Sequence, residues 1–250
     1  MDVEIPILKQ EIEQDEEFVV VDSGDLREKV KLHDYRKIYS VPGLYEKIVY
    51  DLLECKSPRK VAELLEAEVQ KEEGEPNELS VLDVGAGNGI VGEELSRIGV
   101  NDIVGIDIIE EASEAMKRDR PDIYSEYHVV DLTDLDSGVK ENLEEKNMNC
   151  LVTVAALGFG DIPPLAFANA INIINDDSWV ALSIKQDFLS DGDKSGFSSF
   201  VDELVEEDVL HIRNRESYVH RKSLRGKDLH YEAIIANKFQ EIPDRIIENL

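Results

Sequence analysis

The sequence predicts an α/β fold, in which helices flank a mostly parallel sheet. Three observations lead to this prediction. A short apolar run passes directly into a glycine-rich turn and then into a helical pattern over residues 80–92. Strand-like and helical stretches alternate from there to the end of the chain. Two late strand-like runs are joined by a short turn and must be antiparallel, because a parallel crossover needs a dozen or more residues.

The first 79 residues form an acidic N-terminal segment and a helical extension, and residues 80–250 are predicted to be the main domain. Residues 1–30 hold ten acids and three bases around the apolar run Phe18–Val21, which favours partial disorder. From Val30 the pattern becomes helical, and Pro58 interrupts it. The two apolar stripes are Tyr45, Ile48, Val49, Leu52 and Leu53, then Val61, Leu64, Leu65 and Val69.

The glycine-rich turn follows a predicted buried strand, Val81–Val84. Gly85, Gly87 and Gly89 alternate there with small residues. Glycine accepts a positive φ, and its missing Cβ lets a ligand approach the backbone. The start of the following helix adds free N–H groups and the positive end of the helix dipole. The turn is therefore predicted to bind a nucleotide-like cofactor.

Two cofactor patterns fit this turn. Gly87, Gly89 and Gly92 have the G-x-G-x-x-G spacing of dinucleotide-binding proteins. Asp83 with Gly85, Gly87 and Gly89 gives a second pattern, Asp-x-Gly-x-Gly-x-Gly. Glycine spacing alone does not separate the two, so the choice depends on the residues that follow.

Acidic residues follow the next two predicted strands. Asp107 ends the strand Ile103–Asp107, 18 residues beyond Gly89, where an acid can bind the two ribose hydroxyls of a nucleotide. Asp131 follows the strand Tyr127–Val130. Taken singly, each acid is more often a solvated strand end or a helix cap. Acids at successive strand ends after one glycine turn favour a cofactor site.

The C-terminal part separates the two cofactor classes. A nicotinamide-binding domain would continue with another strand–helix unit after its fifth strand, whereas this chain ends in an antiparallel pair. The predicted elements are a fourth strand Cys150–Val154 leading into Ala155–Gly160, a fifth strand Trp179–Ile184, a helix near Ser198–Glu206, and the paired runs Val209–Ser223 and Leu229–Ala236.

From residue 80 onward, these features resemble the class I S-adenosylmethionine-dependent methyltransferases. The resemblance implies a Rossmann-like seven-stranded methyltransferase sheet of order 3-2-1-4-5-7-6 and S-adenosylmethionine as the cofactor. It implies that Asp107 binds the ribose and that Asp131 receives the adenine amino group. The residues implied to contact the cofactor are Asp83, Gly85, Ala86, Gly87, Gly89, Asp107, Ile108, Asp131, Leu132, Ala155 and Leu157.

Helices that precede the first strand often fold over the cofactor as a lid in this family. The polar and aromatic cluster His33–Tyr39 suits that role. Tyr35 or Tyr39 would cover the methionine part of the cofactor, and Arg36 would pair with its carboxylate. The alternative interpretation is a solvated helix face with its tyrosines packed inward.

A finer resemblance is to a branch that includes the methyltransferase-like protein of the Williams–Beuren syndrome region. The residues that suggest this branch are Ala155–Pro164, Phe167, Asn169, Ser183–Leu189 and Tyr218–Arg221. The chain departs from the branch at Asp176-Asp177-Ser178, where relatives often carry Pro-Gly-Gly, and this changes a surface turn only.

The composition predicts a single acidic enzyme domain in the cytoplasm. The 55 acids and 27 bases give a net charge of −28, which repels phosphate backbones and argues against bulk nucleic acid as a substrate. No apolar run has the length of a membrane span, and the acidic N-terminus does not fit a signal peptide. Cys55 and Cys150 are predicted to be reduced packing residues. The oligomeric state stays open.

The implied reaction is an in-line displacement at the sulfonium methyl group, for which alignment and desolvation matter most. A general base is optional, and the candidates are His33, Asp161, Asp187 and His220. The amide-methylating signature is absent at the end of strand four, and no metal site is predicted. A small-molecule acceptor is the first expectation and a protein side chain the second. A non-catalytic cofactor-binding or partner subunit is the remaining alternative.

Overall fold

The computed structural model describes residues 1–6, 14–22, 24 and 27–250, and its N-terminal segment contains a small antiparallel sheet. Its strands are β1 (Asp2–Glu4), β2 (Phe18–Asp22) and β3 (Arg27–Lys31), in that order. The apolar run Phe18–Val21 is thus a strand that buries Val19 and Val21 on one face. The predicted disorder of residues 1–30 falls partly on residues 7–13, 23, 25 and 26, which lie outside the described residues.

The predicted helical extension follows this small sheet. It consists of α1 (Tyr35–Ser40), α2 (Leu44–Glu46) continuing as a π-helix (Lys47–Leu52), and α3 (Ser57–Lys71). Pro58 lies in the first turn of α3, where its missing N–H costs nothing, so it starts a helix instead of ending one. The two predicted apolar stripes are confirmed: the first packs with the N-terminal sheet and the second packs beneath the main sheet.

The main sheet has seven strands: β4 (Ser80–Val84), β5 (Asp102–Asp107), β6 (Glu126–Val129), β7 (Cys150–Val154), β8 (Ser178–Lys185), β9 (Leu210–Lys222) and β10 (Asp228–Lys238). Their order across the sheet is β6-β5-β4-β7-β8-β10-β9. Counted from β4, this is the predicted order 3-2-1-4-5-7-6. Only β10 runs opposite to the other six strands, and it pairs antiparallel with β8 and β9.

Helices cover both faces of this sheet. After α3, the helices are α4 (Ile90–Arg97), α5 (Glu110–Asp119), α6 (Ser137–Glu144), α7 (Pro164–Ile173), α8 (Phe197–Glu206) and α9 (Asp244–Ile247). One face packs against α3 and α4 through an apolar cluster that includes Val61, Leu65 and Leu95. The other face packs against α7 and α8 through Phe167, Phe197 and Phe200.

Strand order reverses beside β4, and this position fixes where a ligand can bind. From β4 the chain adds β5 and β6 on one side, then crosses back to β7 on the other. In open α/β sheets, ligands bind at such a switch point, outside the carboxyl ends of the strands. The predicted division at residue 80 stays a prediction; α3, which precedes it, shares the apolar cluster of the sheet.

No helix within the described ranges is both long and apolar enough to cross a bilayer.

Candidate functional site

The turn between β4 and α4 has no room for side chains at two of its glycines. Gly85 has φ +75° and Gly87 has φ +55°. A Cβ on Gly85 would lie 2.9 Å from the Cβ of Ala156, and one on Gly87 would lie 2.4 Å from the hydroxyl oxygen of Tyr39. Gly89 forms the N-cap of α4. The turn therefore presents bare backbone to the carboxyl edge of the sheet.

Asp83 lies beneath this turn and is fully buried. The Tyr124 hydroxyl donates to its Oδ2 at 2.7 Å, and Oδ1 has no hydrogen-bond partner among the described residues. Burial raises the pKa of Asp83 to about 7, although the Tyr124 bond opposes the rise. The Tyr127 hydroxyl donates to the Gly87 carbonyl at 2.8 Å. Sequence reasoning missed both tyrosines, because nothing in the sequence pairs them with residues about 40 positions away.

A cavity of about 480 Å³ opens at the carboxyl ends of β4 to β7; we call it the main cavity. This volume lies within the range of about 300–1,000 Å³ that small-molecule pockets occupy. Five of the residues predicted from the acidic strand ends and the small-residue segment line its wall: Asp107, Ile108, Asp131, Leu132 and Ala155. Among the predicted residues, Asp83, Gly89, Leu157 and Arg36 line neither this cavity nor the one described below.

Asp107 and Asp131, two of the three carboxylates that line the main cavity, are held differently. Asp107 accepts hydrogen bonds from the backbone N–H groups of Gly87 at 2.9 Å and Ile109 at 3.0 Å. Burial raises the pKa of Asp107, and these N–H groups counter the rise. Asp131 is exposed, and the pKa of its carboxyl is lowered by bonds from the Thr133 hydroxyl and N–H at 2.7 and 2.8 Å. Each carboxylate keeps lone pairs for a ligand.

A second, smaller cavity of about 90 Å³ lies between the glycine turn and the N-terminal extension; we call it the inner cavity. Its wall includes Gly85–Asn88, His33, Cys55, His220 and Arg221. The two cavities meet, because they share six lining residues. These residues are Tyr35, Tyr39, Tyr45, Gly85, Val154 and Ala155.

The extension is docked on the glycine turn. Tyr39 is 7% exposed, and its ring contacts those of Tyr35 and Tyr45 at centroid distances of 5.9 and 5.1 Å. The Asn88 side chain donates to Glu46 Oε1 at 2.8 Å, which ties the turn to α2. Arg36 lies on the outer surface and donates to Glu111 at 3.1 Å. The predicted lid residues thus separate: the tyrosines face the cavities, and the arginine faces solvent.

Three of the four candidate bases line the cavities. His33 Nδ1 lies 3.6 Å from Asp161 Oδ2, which brings an inner-cavity residue against a main-cavity residue at their junction. His220 is buried, with Nδ1 2.6 Å from the Ser57 hydroxyl oxygen, and burial followed by the charge of Arg221 holds its pKa well below the usual value. Asp187 is largely exposed, pairs with Lys185 at 2.8 Å, and lines neither cavity.

The segment after β7 contains two of the seven described non-glycine residues that have a positive φ. Ala155 has φ +55° and Phe159 has φ +52°, a conformation that costs a non-glycine residue about 1–2 kcal/mol. The Ala155 N–H donates to the Ser183 carbonyl at 3.1 Å and to its hydroxyl at 3.0 Å, which holds the strained residue. Strain of this kind gathers at ligand-binding segments. The segment forms the wall where the two cavities meet.

A family model for the methyltransferase domain matches residues 53–236, from the end of the π-helix to β10. The chain belongs to the methyltransferase domain family. The match covers the glycine turn, the three carboxylates that line the main cavity and the antiparallel terminal strands of this methyltransferase. No curated protein matches the sequence significantly.

Solved structures share the fold at low identity. The N-methyltransferase NodS from Bradyrhizobium japonicum, with S-adenosylhomocysteine, is 11% identical with a TM-score of 0.56, covering 82% of this methyltransferase and 97% of NodS. Magnesium protoporphyrin IX methyltransferase from Synechocystis, also with S-adenosylhomocysteine, is 13% identical with a TM-score of 0.50. The match covers 72% of this chain and 82% of that enzyme. A Pyrococcus horikoshii protein, provisionally an RNA methyltransferase, is 15% identical with a TM-score of 0.51, covering 72% and 84%.

The family and the fold identify this methyltransferase as a class I enzyme that uses S-adenosylmethionine. The residues that line the main and inner cavities suit such a cofactor. The floor of the cavities is glycine backbone, two carboxylates at their wall have spare lone pairs for hydroxyl and amino donors, and tyrosines border the place where a sulfonium cation would lie. The finer branch suggested by Ala155–Pro164 stays a prediction.

Proposed function

We propose that this protein transfers a methyl group to a small-molecule acceptor at the junction of the two cavities. The observation that carries the proposal is the meeting of His33 and Asp161, 3.6 Å apart, where the main and inner cavities share their tyrosine wall. A methyl donor made of a nucleoside and an amino acid places its reactive centre between those two parts. The junction is therefore where an acceptor would meet the methyl group.

The cofactor is proposed to lie with its nucleoside in the main cavity. Asp107 would bind the two ribose hydroxyls, Asp131 the adenine amino group, and Ile108 and Leu132 the faces of the base. The methionine part would extend over Gly85, Ala86 and Gly87 toward the inner cavity, beneath Tyr35 and Tyr39. Asp83, Gly89 and Leu157 would support this arrangement from behind, since they line neither cavity.

Bound S-adenosylmethionine supplies an electrophilic methyl group on a positively charged sulfur. An acceptor nucleophile that attacks the methyl carbon in line displaces the sulfur, which leaves as the neutral thioether of S-adenosylhomocysteine. The protein's part is to align the acceptor and to remove a proton where the nucleophile carries one. His33 is the proposed base: Asp161 faces its Nδ1, which leaves Nε2 available to take the proton. Asp161 would stabilise the imidazolium that forms.

Charge and geometry favour a small acceptor without phosphates. In the described chain, no arginine or lysine lines the main cavity, whereas Asp107, Asp131 and Asp161 do. The net charge of −28 adds long-range repulsion of phosphates. The extension, residues 1–79 in our proposed division, covers the glycine turn as a lid. A protein side chain would have to enter past this lid, which makes it the second candidate.

The test is label transfer from S-adenosylmethionine carrying a labelled methyl group. Purified protein is incubated with a metabolite extract and, separately, with a protein fraction. We expect label in a small molecule. Label found only in protein would favour the second candidate, and cofactor binding without transfer to either fraction would favour a non-catalytic subunit.

Variants test the proposed base. His33→Gln and Asp161→Asn should lower the transfer rate by about 100-fold or more, the usual contribution of a general base, with cofactor affinity nearly unchanged. His211→Gln is the matched control, because His211 pairs with Asp208 on the surface and lines neither cavity. Wild-type transfer rates in the His33 and Asp161 variants would exclude His33 as the general base and Asp161 as its supporting carboxylate.

A further inference from the structure

Arg221 is the one arginine or lysine that lines either cavity in the described part of the chain. It lies at the end of β9, and only 6% of its surface is exposed. Arg36, which the sequence suggested as the cation of this site, lies on the outer surface and pairs with Glu111. The inner cavity thus contains a single permanent positive charge, and it comes from the C-terminal hairpin.

Glu17 holds this guanidinium in place. Its Oε2 accepts from Nη1 and Nη2 of Arg221 at 3.2 and 3.1 Å, and its Oε1 accepts from the Leu224 N–H at 2.9 Å. Glu17 is 4% exposed and directly precedes β2. Nη1 of Arg221 also donates to the Lys222 carbonyl at 2.9 Å. Backbone and carboxylate partners on one side of the guanidinium therefore fix its position at the wall of the inner cavity.

A carboxylate that enters a closed cavity loses its water and needs a charged partner. The amino-acid end of the cofactor carries such a carboxylate. Arginine suits this task, because its guanidinium stays charged and offers several N–H donors in a fixed plane. The inner cavity of about 90 Å³ is large enough for several water molecules, and therefore has room for a small polar head group. His220, the neighbour of Arg221, is neutral because its pKa is lowered, so Arg221 supplies the positive charge for such a carboxylate.

We infer that Arg221 binds the carboxylate of the cofactor's methionine part, and that Glu17 is the residue that positions its guanidinium. The inference rests on the proposed function, in which the nucleoside lies in the main cavity and the methionine part in the inner one. This arrangement would link cofactor recognition to the N-terminal sheet. Glu17, which adjoins that sheet, contacts the Arg221 guanidinium that would bind the cofactor carboxylate.

Two ligands that differ only in this carboxylate test the inference. S-adenosylmethionine and its decarboxylated form share the nucleoside, the sulfonium and the amine, and calorimetry measures both affinities. We expect the wild-type protein to prefer the carboxylate-bearing ligand by about tenfold or more, the effect of a hydrogen bond between charged groups. In Arg221→Gln this preference should fall below about threefold, with little change for the decarboxylated ligand.

Arg215→Gln is the matched control, because Arg215 lies on the same strand, pairs with Glu232 on the surface and lines neither cavity. It should keep the full preference. Glu17→Gln should lower the preference partially, since the guanidinium loses its orienting carboxylate. Arg221→Gln leaves the buried Glu17 carboxylate without its charged partner. If that variant does not fold, the double variant Glu17→Gln/Arg221→Gln removes both charges together, and the ratio of the affinities for the two ligands is measured in it.

The outcomes separate the inference from the proposed function. Equal weakening of both ligands in Arg221→Gln, or a wild-type protein that binds both ligands equally, would overturn the role of Arg221 while leaving the cofactor site in place. A wild-type protein that binds neither ligand would instead overturn the proposed cofactor site.

Discussion

At the scale of single residues, three aspartates at neighbouring strands acquire different properties from their surroundings. Asp83 is buried against a tyrosine, and Asp107 is held by backbone N–H groups. Asp131 is exposed beside Thr133. Burial dominates the first two and raises their pKa values, whereas hydrogen bonding dominates the third and lowers it. Each difference leads to its own prediction.

Asp83 should make stability depend on pH. Its pKa is about 7 in the folded protein against an ordinary value of 3.8, so the folded state holds the proton over this interval and the unfolded state does not. Its contribution to stability is therefore complete below about pH 4 and is lost as the pH rises through 7. Asp83→Asn removes the titration and keeps the shape, so its Tm relative to wild type should rise between pH 5 and pH 8.

Tyr124→Phe is the matched variant for this titration, because it removes the hydrogen bond that lowers the pKa of Asp83. Its Tm should continue to fall with rising pH beyond the point at which the wild-type profile levels off, because the pKa of Asp83 in the folded variant is higher. Parallel Tm profiles of the wild type and Asp83→Asn would show that Asp83 does not titrate in this interval.

Asp107 should dominate ribose recognition. Asp107→Ala is expected to weaken S-adenosylmethionine binding by about 2 kcal/mol or more, because two ribose hydroxyls lose a charged acceptor. Calorimetry on the folded variant measures the effect. Asp102→Ala, at the opposite end of the same strand, should bind as the wild type does. Unchanged affinity in Asp107→Ala would place the ribose elsewhere.

Asp131 should accept a hydrogen bond from the adenine amino group. An S-adenosylhomocysteine analogue with a carbonyl at that ring position should bind the wild-type protein less well by roughly 1.5–3 kcal/mol, the cost of one bond to a charged acceptor. Asp131→Ala should bind both ligands with similar affinity, whereas Asp134→Ala should retain the discrimination. Equal binding of the two ligands by the wild type would argue against this role.

At the scale of elements, the extension is attached to the domain by polar contacts around the glycine turn. Besides the Asn88–Glu46 bond, Arg120 donates to Glu46 at 2.9 Å, and Arg118 donates to the Tyr39 carbonyl at 3.1 Å. Helix α1 is only six residues long and packs on α5. A short peripheral helix opens locally at a lower free energy than the core of a domain, which the proposed lid role requires.

The lid should become protected when ligand binds. Hydrogen exchange of residues 33–39 is expected to slow with S-adenosylhomocysteine, because the tyrosines would then contact the ligand as well as the glycine turn. Exchange in α8, which lies on the other face of the sheet, serves as the internal control. Slowing confined to Gly85–Gly89, Asp107 and Asp131 would show that the extension has a structural or partner-binding role.

At the scale of the whole molecule, the net charge of −28 determines which partners can approach. Several basic side chains of β9 are already paired with acids: Arg213 with Glu72 and Arg215 with Glu232. The proposal of a small acceptor without phosphates rests on this repulsion and on the lack of a cationic group in the main cavity within the described ranges.

The protein alone should not bind RNA. In fluorescence anisotropy at physiological salt, we expect no saturation below about 100 μM, the weak end of non-specific nucleic-acid binding. The same titration at low salt is the control, since any phosphate-based affinity would increase there. Low-micromolar binding that weakens steeply with salt would contradict the small-molecule proposal.

Local patterns in the chain were enough to predict the alternation of strands and helices, the glycine turn and the antiparallel terminal pair. Each of these depends on neighbouring residues: alternation of apolar runs, glycines where φ must be positive, and a turn too short for a parallel crossover. The order of the seven strands and the identity of the cofactor came from the family resemblance that these patterns support. The antiparallel strands β2 and β3 were missed, because a single apolar run among acids does not reveal its pairing partner.

Which side chains meet across the cavities depended on the tertiary structure. Asp83 and Tyr124, His33 and Asp161, and Glu17 and Arg221 are 41, 128 and 204 residues apart in sequence. Arg36 and Arg221 are equally basic in sequence, yet packing places the first in solvent and the second at the inner cavity. Contacts at such separations are made by the folding of the sheet and its extension, and short-range residue spacing does not encode them.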